Sequence, residues 1–239
     1  MPILEGENVT KHFGGLAAVA GVDFSVETGK IAGLIGPNGA GKTTLFNLIS
    51  GALAPKEGVI RFNGRNITGL KPHRICRMGV ARTFQSVKVF SNLPVLENVL
   101  LGSLFGTAKG MPAADTARAA TEALEFVGLS AVRAIPAKDL TLANQKRLEV
   151  ARALATKPDL LLLDELMAGL NPTETVEAME LVTRIRENGI TIFMIEHVMK
   201  AIMSVCDQIM VLHHGKKIAE GTPQEIATSR TVVEVYLGE

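Results

Sequence analysis

A chain of 239 residues is long enough for one large domain carrying an inserted subdomain and too short for a repeat of two complete domains. Its 25 basic residues against 24 acidic ones leave a net charge of +1, which excludes a global field for nucleic acid or anionic lipid. Cys76 and Cys206, far apart and without metal-ligand company, exclude a disulfide scaffold and read as reduced, packed thiols of a cytosolic protein.

The N-terminus, "MPILEGENVTKHFGG", has no basic-then-apolar leader pattern, and no run approaches the roughly 18 apolar residues of a membrane span. The expectation is a protein that neither enters nor crosses a bilayer by itself. Apolar residues still make up 47% of a chain with one Tyr and no Trp. Buried parallel strands would absorb that aliphatic excess.

In chain order, "NVTKHFGGLAAVAGVDFSVETG" (8–29) alternates apolar and polar residues and predicts antiparallel strands, as does "EGVIRFNGRNIT" (57–68). Between them, "KIAGLIG" (30–36) is a short apolar run of the buried, parallel kind. Leu45, Leu48, Ile49 and Leu53 then mark the apolar face of a helix. The basic segment "KPHRICRMGVAR" (71–82) reads as a solvated helix edge leading into a strand. From Val87 to about Thr156 strand signals vanish, and "GTAKGMPAADT" (106–116) reads as a loop between helices. Near the end of this stretch, Leu148, Ala151 and Ala155 recur at helical spacing, with Thr141 as a cap and Lys157-Pro158 as a stop.

"DLLLLDE" (159–165), "ITIFMIEH" (190–197) and "DQIMVLHHG" (207–215) are further buried strands. In "NPTETVEAMELVTRIRENG" (171–189), Asn171 caps, Pro172 takes the first helical position, Glu174 completes a capping box and Gly189 ends the run. The fold class that follows is α/β: a phosphate-loop core with a largely parallel sheet, an antiparallel β flank and an inserted helical subdomain. The expected boundaries are 1–86 and 157–239 for the core and 87–156 for the helical part.

"GPNGAGKTT" (36–44) fits G-x-x-x-x-G-K-[ST], with a strand before it and a helix after it. Gly36, Gly39 and Gly41 let the backbone curl with N–H groups inward, and the helix start adds positive potential. Lys42 supplies a mobile charge to terminal phosphates, the Thr43 hydroxyl suits Mg²⁺, and Asn38 and Thr44 complete the candidate nucleotide contacts. In "LLLLDE", Asp164 is placed to hold Mg²⁺ through water and Glu165 to polarise a water for attack on a γ-phosphate. The acidic pair sits at a strand's carboxyl end, where open α/β sheets bind ligands. Gln85 in "GVARTFQS" and His197 in "TIFMIEH" also lie where strands end.

The order of phosphate loop, Gln85, helical insert, Arg-rich helix, Asp164-Glu165 and His197 resembles the nucleotide-binding subunit of ATP-binding-cassette (ABC) transporters over almost the entire chain. The resemblance implies ATP and Mg²⁺ as ligands and assigns Phe13 in "KHFGG" to adenine stacking. It also assigns Gln85 to sensing Mg²⁺ and the attacking water, Glu165 to the catalytic base and His197 to the γ-phosphate. Phe13 also has a plain reading as a strand residue packing the flank. The family's signature, Leu-Ser-Gly-Gly-Gln, leads a helix that faces the γ-phosphate bound by the opposite subunit of a head-to-tail dimer. Leu140, Thr141, Leu142, Ala143 and Asn144 fall on those five positions, and only the leucine is identical. Thr141 keeps a hydroxyl and Ala143 an amide for the partner's ATP, while Leu142 adds bulk and fixes φ where the pattern has glycine. Asn171 stands where many members carry Asp.

"FGGLAAVAGVDFSV", "ARTFQSVKVFSNLPVLENVL" and "EHVMKAIMSVCDQIMVLHHGKKIAEGTPQEI" look like the ATP-binding component of branched-chain amino acid uptake systems. That resemblance implies a second ATPase chain, two transmembrane permease subunits, an external solute-binding protein and a place on the cytoplasmic face of the membrane. It also implies ATP hydrolysis coupled to uptake of branched-chain amino acids or related small solutes. Val87, Phe90 and Leu93 would help receive the permease's coupling helices, or equally pack the helical insert. The alternative is a soluble ABC ATPase acting as a switch on ribosomes or DNA. Such proteins usually carry two cassettes or long coiled coils, which 239 near-neutral residues do not accommodate.

Overall fold

Two sheets carry the fold of the computed structural model, which describes residues 1–106 and 113–237. The first is antiparallel, in the order β2-β1-β4-β5, from β1 (Pro2–Phe13), β2 (Leu16–Glu27), β4 (Glu57–Phe62) and β5 (Arg65–Asn66). A Gly14-Gly15 loop closes the first hairpin, with Phe13 opposite Leu16 and Gly14 at φ 58°. In β2, Val22, Phe24 and Val26 are buried and alternate with outward Asp23 and Ser25, the two-residue period of a half-covered strand.

The second sheet runs β10-β9-β3-β8-β7-β6. Its parallel members are β3 (Ile31–Ile35), β6 (Val80–Arg82), β7 (Leu160–Asp164), β8 (Thr191–Ile195) and β9 (Gln208–His213). All five residues of β7 are buried because both faces are covered. Leu160 and Leu162 face the antiparallel sheet and helix α1 (Lys42–Ile49), whereas Leu161 and Leu163 face the helices on the other side. Helix α1 therefore lies between the sheets, with Leu45, Phe46, Leu48 and Ile49 buried and the Phe46 ring 5.1 Å from that of Phe193. It ends at Ile49, so Leu53 packs from the following loop rather than from the helix, its N–H donating to the Asn47 carbonyl at 3.0 Å. The predicted runs 30–36, 159–165, 190–197 and 207–215 each contain one of these strands.

β10 (Lys216–Gly221) is a strand that the sequence reading did not include. It pairs antiparallel with β9 through a His214-Gly215 turn and closes the sheet edge, where exposed Lys216 and Lys217 oppose further pairing. Helix α2 (Pro72–Arg77) precedes β6, as the basic segment implied.

Between β6 and β7 the described residues form only helices and loops: α3 (Val95–Phe105), α4 (Ala113–Phe126), two short 3₁₀ turns and α5 (Leu142–Leu154). The loop expected at 106–116 lies mostly outside the described residues, and its last four residues open α4 instead. After β6 the next helix starts only at Val95; residues 83–94 form an irregular segment held by buried Asn98. The Asn98 amide accepts from the Phe90 N–H at 2.7 Å and donates to the Phe90, Leu93 and Pro94 carbonyls at 3.1, 3.2 and 3.1 Å. One side chain, its two amide hydrogens shared among three carbonyls, replaces part of the ladder this backbone lacks.

α6 (Pro172–Glu187) begins with the predicted capping box, Asn171 accepting from the Glu174 N–H at 3.0 Å and Glu174 accepting from the Asn171 N–H at 2.9 Å. α7 (Met199–Val205), α8 (Pro223–Thr228) and α9 (Arg230–Leu237) complete the chain. No helix among the described residues is long and apolar enough to cross a membrane.

Candidate active site

The loop between β3 and α1 turns at glycines with no alternative. At Gly36, φ is 148° and a Cβ would stand 2.1 Å from the Leu212 carbonyl oxygen; at Gly41, φ is 104° and a Cβ would stand 2.2 Å from that of Ala18. Only a residue without a side chain lets the loop pack this closely against β9 and β2. The loop lines an open cleft of about 330 Å³ together with Leu16, Ala17 and Ala18 of β2.

Of the sequence-predicted residues, Asn38, Gly39, Gly41, Lys42, Thr43, Thr44, Gln85, Glu165 and His197 line this one cleft. Lys42 is 6% exposed and folds back, its Nζ donating to the Gly36 and Pro37 carbonyls at 2.6 and 3.1 Å. Burial lowers its pKa, while Glu165 and Asp164 pull it back up.

Glu165 is the centre of the arrangement. Gln85 Nε2 donates to its Oε2 at 3.0 Å, and His197 Nε2 lies 3.0 Å from its Oε1. Residues 80 and 32 positions away in sequence thus fix one carboxylate, one from the segment after β6 and one from the end of β8. The backbone of Glu165 is left-handed, φ 51°, a conformation that costs a non-glycine residue about 1–3 kcal/mol.

Asp164 lies one residue back, 1% exposed. Its Oδ2 accepts from Arg82 Nη2 at 2.8 Å, and its main-chain N–H donates to Thr83 Oγ1 at 3.2 Å. Burial nonetheless raises its pKa, with Arg82 opposing. Oδ1 is buried with no hydrogen-bond partner among the described residues. An anionic oxygen left over beside a Thr-bearing phosphate loop fits a hard divalent cation, which takes oxygen donors. No group of three or more His, Cys, Asp or Glu that could cage a metal occurs among the described residues. That donor set suits Mg²⁺, which is commonly held by one or two carboxylates plus substrate phosphates.

Gly36 and Asp164 are not among the lining residues, and three further predicted residues, Phe13, Thr141 and Ala143, also lie off the lining. Phe13 ends β1 half exposed, with Lys11 Nζ 5.7 Å from its ring centroid. Thr141 and Ala143 begin α5, where Thr141 Oγ1 accepts from the Asn144 N–H at 3.3 Å and Ala143 is buried. Leu142 is a helical residue without positive φ, and its side chain rests beside Gly169. Phe90 lines an apolar groove of about 490 Å³ between core and insert, with Phe84, Leu101, Lys88, Glu149 and Arg152, whereas Val87 and Leu93 do not.

Four residues at or behind the cleft escaped the sequence reading: His214, which lines it, and the buried Arg82, Lys146 and Glu196. Arg82 also donates from Nη1 to Asn47 Oδ1 at 2.7 Å and Ser50 Oγ at 2.9 Å, tying α1 to Asp164. A signal for Lys146 did exist. With Ala143, Val150 and Ala153 it occupies the i, i+3, i+7, i+10 stripe that α5 buries.

A glycine cradle at a helix start, a lysine and an acidic pair at the end of a buried parallel strand define a nucleoside-triphosphate-hydrolysing cassette. Comparison with known proteins gives the family: the ABC transporter family model matches residues 19–168, and that of the branched-chain amino acid ATP-binding cassette transporter matches 216–239. The chain belongs to the ATP-binding cassettes of ABC transporters. It is 42% identical to the high-affinity branched-chain amino acid transport ATP-binding protein BraF of Pseudomonas aeruginosa, over 100% of this chain and 98% of that one. The crystal structure of the ADP conformation of MJ1267, an ATP-binding cassette of an ABC transporter, superposes with a TM-score of 0.90 at 33% identity and complete coverage of both chains. A dimeric structure of the cassette MJ0796 gives 0.83 at 25% identity, covering 92% of this chain and 98% of that one.

Proposed function

We propose that this cassette is the ATP-hydrolysing subunit of an importer for branched-chain amino acids or related small solutes. The observation that carries the catalytic part is the Glu165 carboxylate, held by Gln85 and near His197 at the mouth of the phosphate-loop cleft. The solute class follows from the likeness to BraF and the match over 216–239.

In this reading the loop N–H groups and Lys42 bind the polyphosphate, and Thr43, Asp164 and Gln85 hold Mg²⁺. Bound there, Mg²⁺ would supply charge neutralisation at the transferred phosphate. Glu165 takes a proton from the attacking water, Gln85 orients that water, and His197 contacts the γ-phosphate. Phe13 stacks on the adenine. Residues 1–86 and 157–239 act as the catalytic unit and 87–156 as the helical one. Two cassettes, identical or related, close head to tail on ATP, with Thr141 and the Ala143 amide facing the partner's nucleotide. The groove at Phe84 and Phe90 receives a permease subunit at the cytoplasmic face of the membrane, and the external solute-binding protein acts only through the permease.

The test is Glu165→Gln. ATP binding should persist and an ATP-dependent dimer should accumulate in size-exclusion chromatography, while phosphate release falls at least ~100-fold. Turnover at the wild-type rate would remove Glu165 from the chemistry.

A further inference from the structure

Lysine is almost never fully buried without a partner, because taking an ammonium out of water costs several kcal/mol unless its donors are used. Lys146, one and a half turns into α5, is 6% exposed. Its Nζ donates at 2.8 Å to the main-chain carbonyl of Glu165. On the far side of the same peptide segment, the Glu165 N–H donates to the Ile195 carbonyl of β8 at 2.9 Å. A residue in a sparsely populated backbone region is therefore clamped at both ends, by a strand at its N–H and by a helix at its C=O. The carboxylate that emerges from this clamp is the one beside Gln85 and His197.

The charge is answered locally. Glu196 supplies the largest opposite charge felt by Lys146, followed by Glu149 and Glu165. Glu196 is 2% exposed and fixed by the turn after Glu165, its Oε1 accepting from the Met167 N–H at 2.7 Å. Both anchors thus grip the single turn that follows β7. Nothing else in α5 reaches this turn with a charged group by a described hydrogen bond; Arg147, the next residue, pairs outward with Glu177.

We infer that Lys146 is a positioning residue for hydrolysis: it holds the strained backbone of Glu165, so that the placement of α5 sets where the Glu165 carboxylate points. The inference rests on the reading of Glu165 as the group that activates water. It extends that reading, because the helix whose first turn faces a partner's nucleotide would then also orient the carboxylate of its own chain. A partner that shifts α5 moves the carboxylate through one side chain.

The experiment is a double-mutant cycle on the full-length chain, with ATP turnover, KM for ATP, fluorescent-ATP affinity and Tm measured for each variant. Lys146→Met keeps the stem and removes the donor. Turnover should fall at least ~10-fold with KM and ATP affinity within about twofold, since small misplacements of a catalytic group cost up to ~100-fold in rate. Lys146→Arg, which restores a donor, should recover most of that loss. On the Glu165→Gln background Lys146→Met should lower residual turnover no further, because the group it positions is gone. An equal fold-loss on both backgrounds, or equal losses in the Met and Arg variants, would overturn the inference and leave Lys146 a packing residue. Should Lys146→Met fail to fold, Lys146→Gln carries the same cycle. Wild-type turnover in Glu165→Gln alone would instead refute the role of Glu165, and the two failures are told apart by that single variant.

Discussion

Glu196 makes a quantitative forecast possible. Burial pushes its carboxyl from the ordinary 4.5 up to about 7, against the opposing pull of the Met167 N–H, Lys146 and the His197 N–H and with a small push from Glu165. A carboxyl whose folded pKa exceeds its unfolded one binds its proton more tightly when folded. Its contribution is fully present below about pH 4.5 and is lost as pH rises through about 7. At about 1.4 kcal/mol per pKa unit, the folded state should lose about 2–3 kcal/mol between pH 5 and pH 8 through this one group. Glu196→Gln keeps an acceptor for the Met167 N–H and removes the titration. Urea unfolding of both proteins at intervals from pH 5 to pH 8 isolates the term, because every other titrating group is common to both. The wild-type curve should descend relative to the variant by about that amount, roughly half of it above pH 6. Curves that run parallel within about 0.5 kcal/mol would show that Glu196 ionises as freely folded as unfolded, and the burial argument would fail.

Arg82→Met leaves Asp164 buried without its ion-pair partner, at side-chain exposures of 7% and 1% in the pair, and should cost about 3 kcal/mol or more in urea unfolding at pH 7. A loss below about 1 kcal/mol would mean that the pair contributes no more than a surface contact. Gly41→Ala forces a Cβ to within 2.2 Å of the Ala18 carbonyl at φ 104°, so ATP affinity should collapse with a stability loss of about 1–3 kcal/mol; normal nucleotide binding by titration calorimetry would contradict the cradle geometry. Thr141→Arg removes the α5 cap at a cost of about 1 kcal/mol and should abolish ATP-driven dimerisation while a single chain still binds ATP. Intact dimerisation and ATPase activity would leave that helix start with no role beyond capping.

Elements whose physics is local were legible in the sequence. The capping box at Asn171-Glu174 needs only residues three apart, and the buried strand at Leu160–Asp164 needs only an unbroken apolar run. The phosphate loop is likewise contiguous. What escaped were consequences of tertiary packing. β10 carries Lys216, Lys217 and Glu220 on a sheet edge, where polarity is the signature of edge protection and mimics that of a loop. α5 buries the charged Lys146 and Glu149, because the turn after β7 and the Lys88 N–H supply acceptor and donor. No periodicity reports where a charge 19 residues away will find a carbonyl.

The altered signature takes on a different meaning once its neighbours are known. Leu142, in place of a glycine, looks from sequence like an obstacle at a helix start that must admit a phosphate. In the fold it begins α5 with ordinary helical backbone, and its Cδ2 lies 3.1 Å from where a side chain on Gly169 would begin. Gly169, at φ 78°, belongs to the loop that leads from Glu165 into the Asn171 cap. The bulk added at one position thus lies over a glycine in the loop that follows Glu165. Lys146, one turn further along the same helix, grips that loop's first residue. The start of α5 and the turn after β7 are therefore joined twice, by an apolar contact at Leu142 and by a charged hydrogen bond from Lys146. On the proposed roles of Thr141, Ala143 and Glu165, the groups offered to a partner's nucleotide and the group that activates water would share that support.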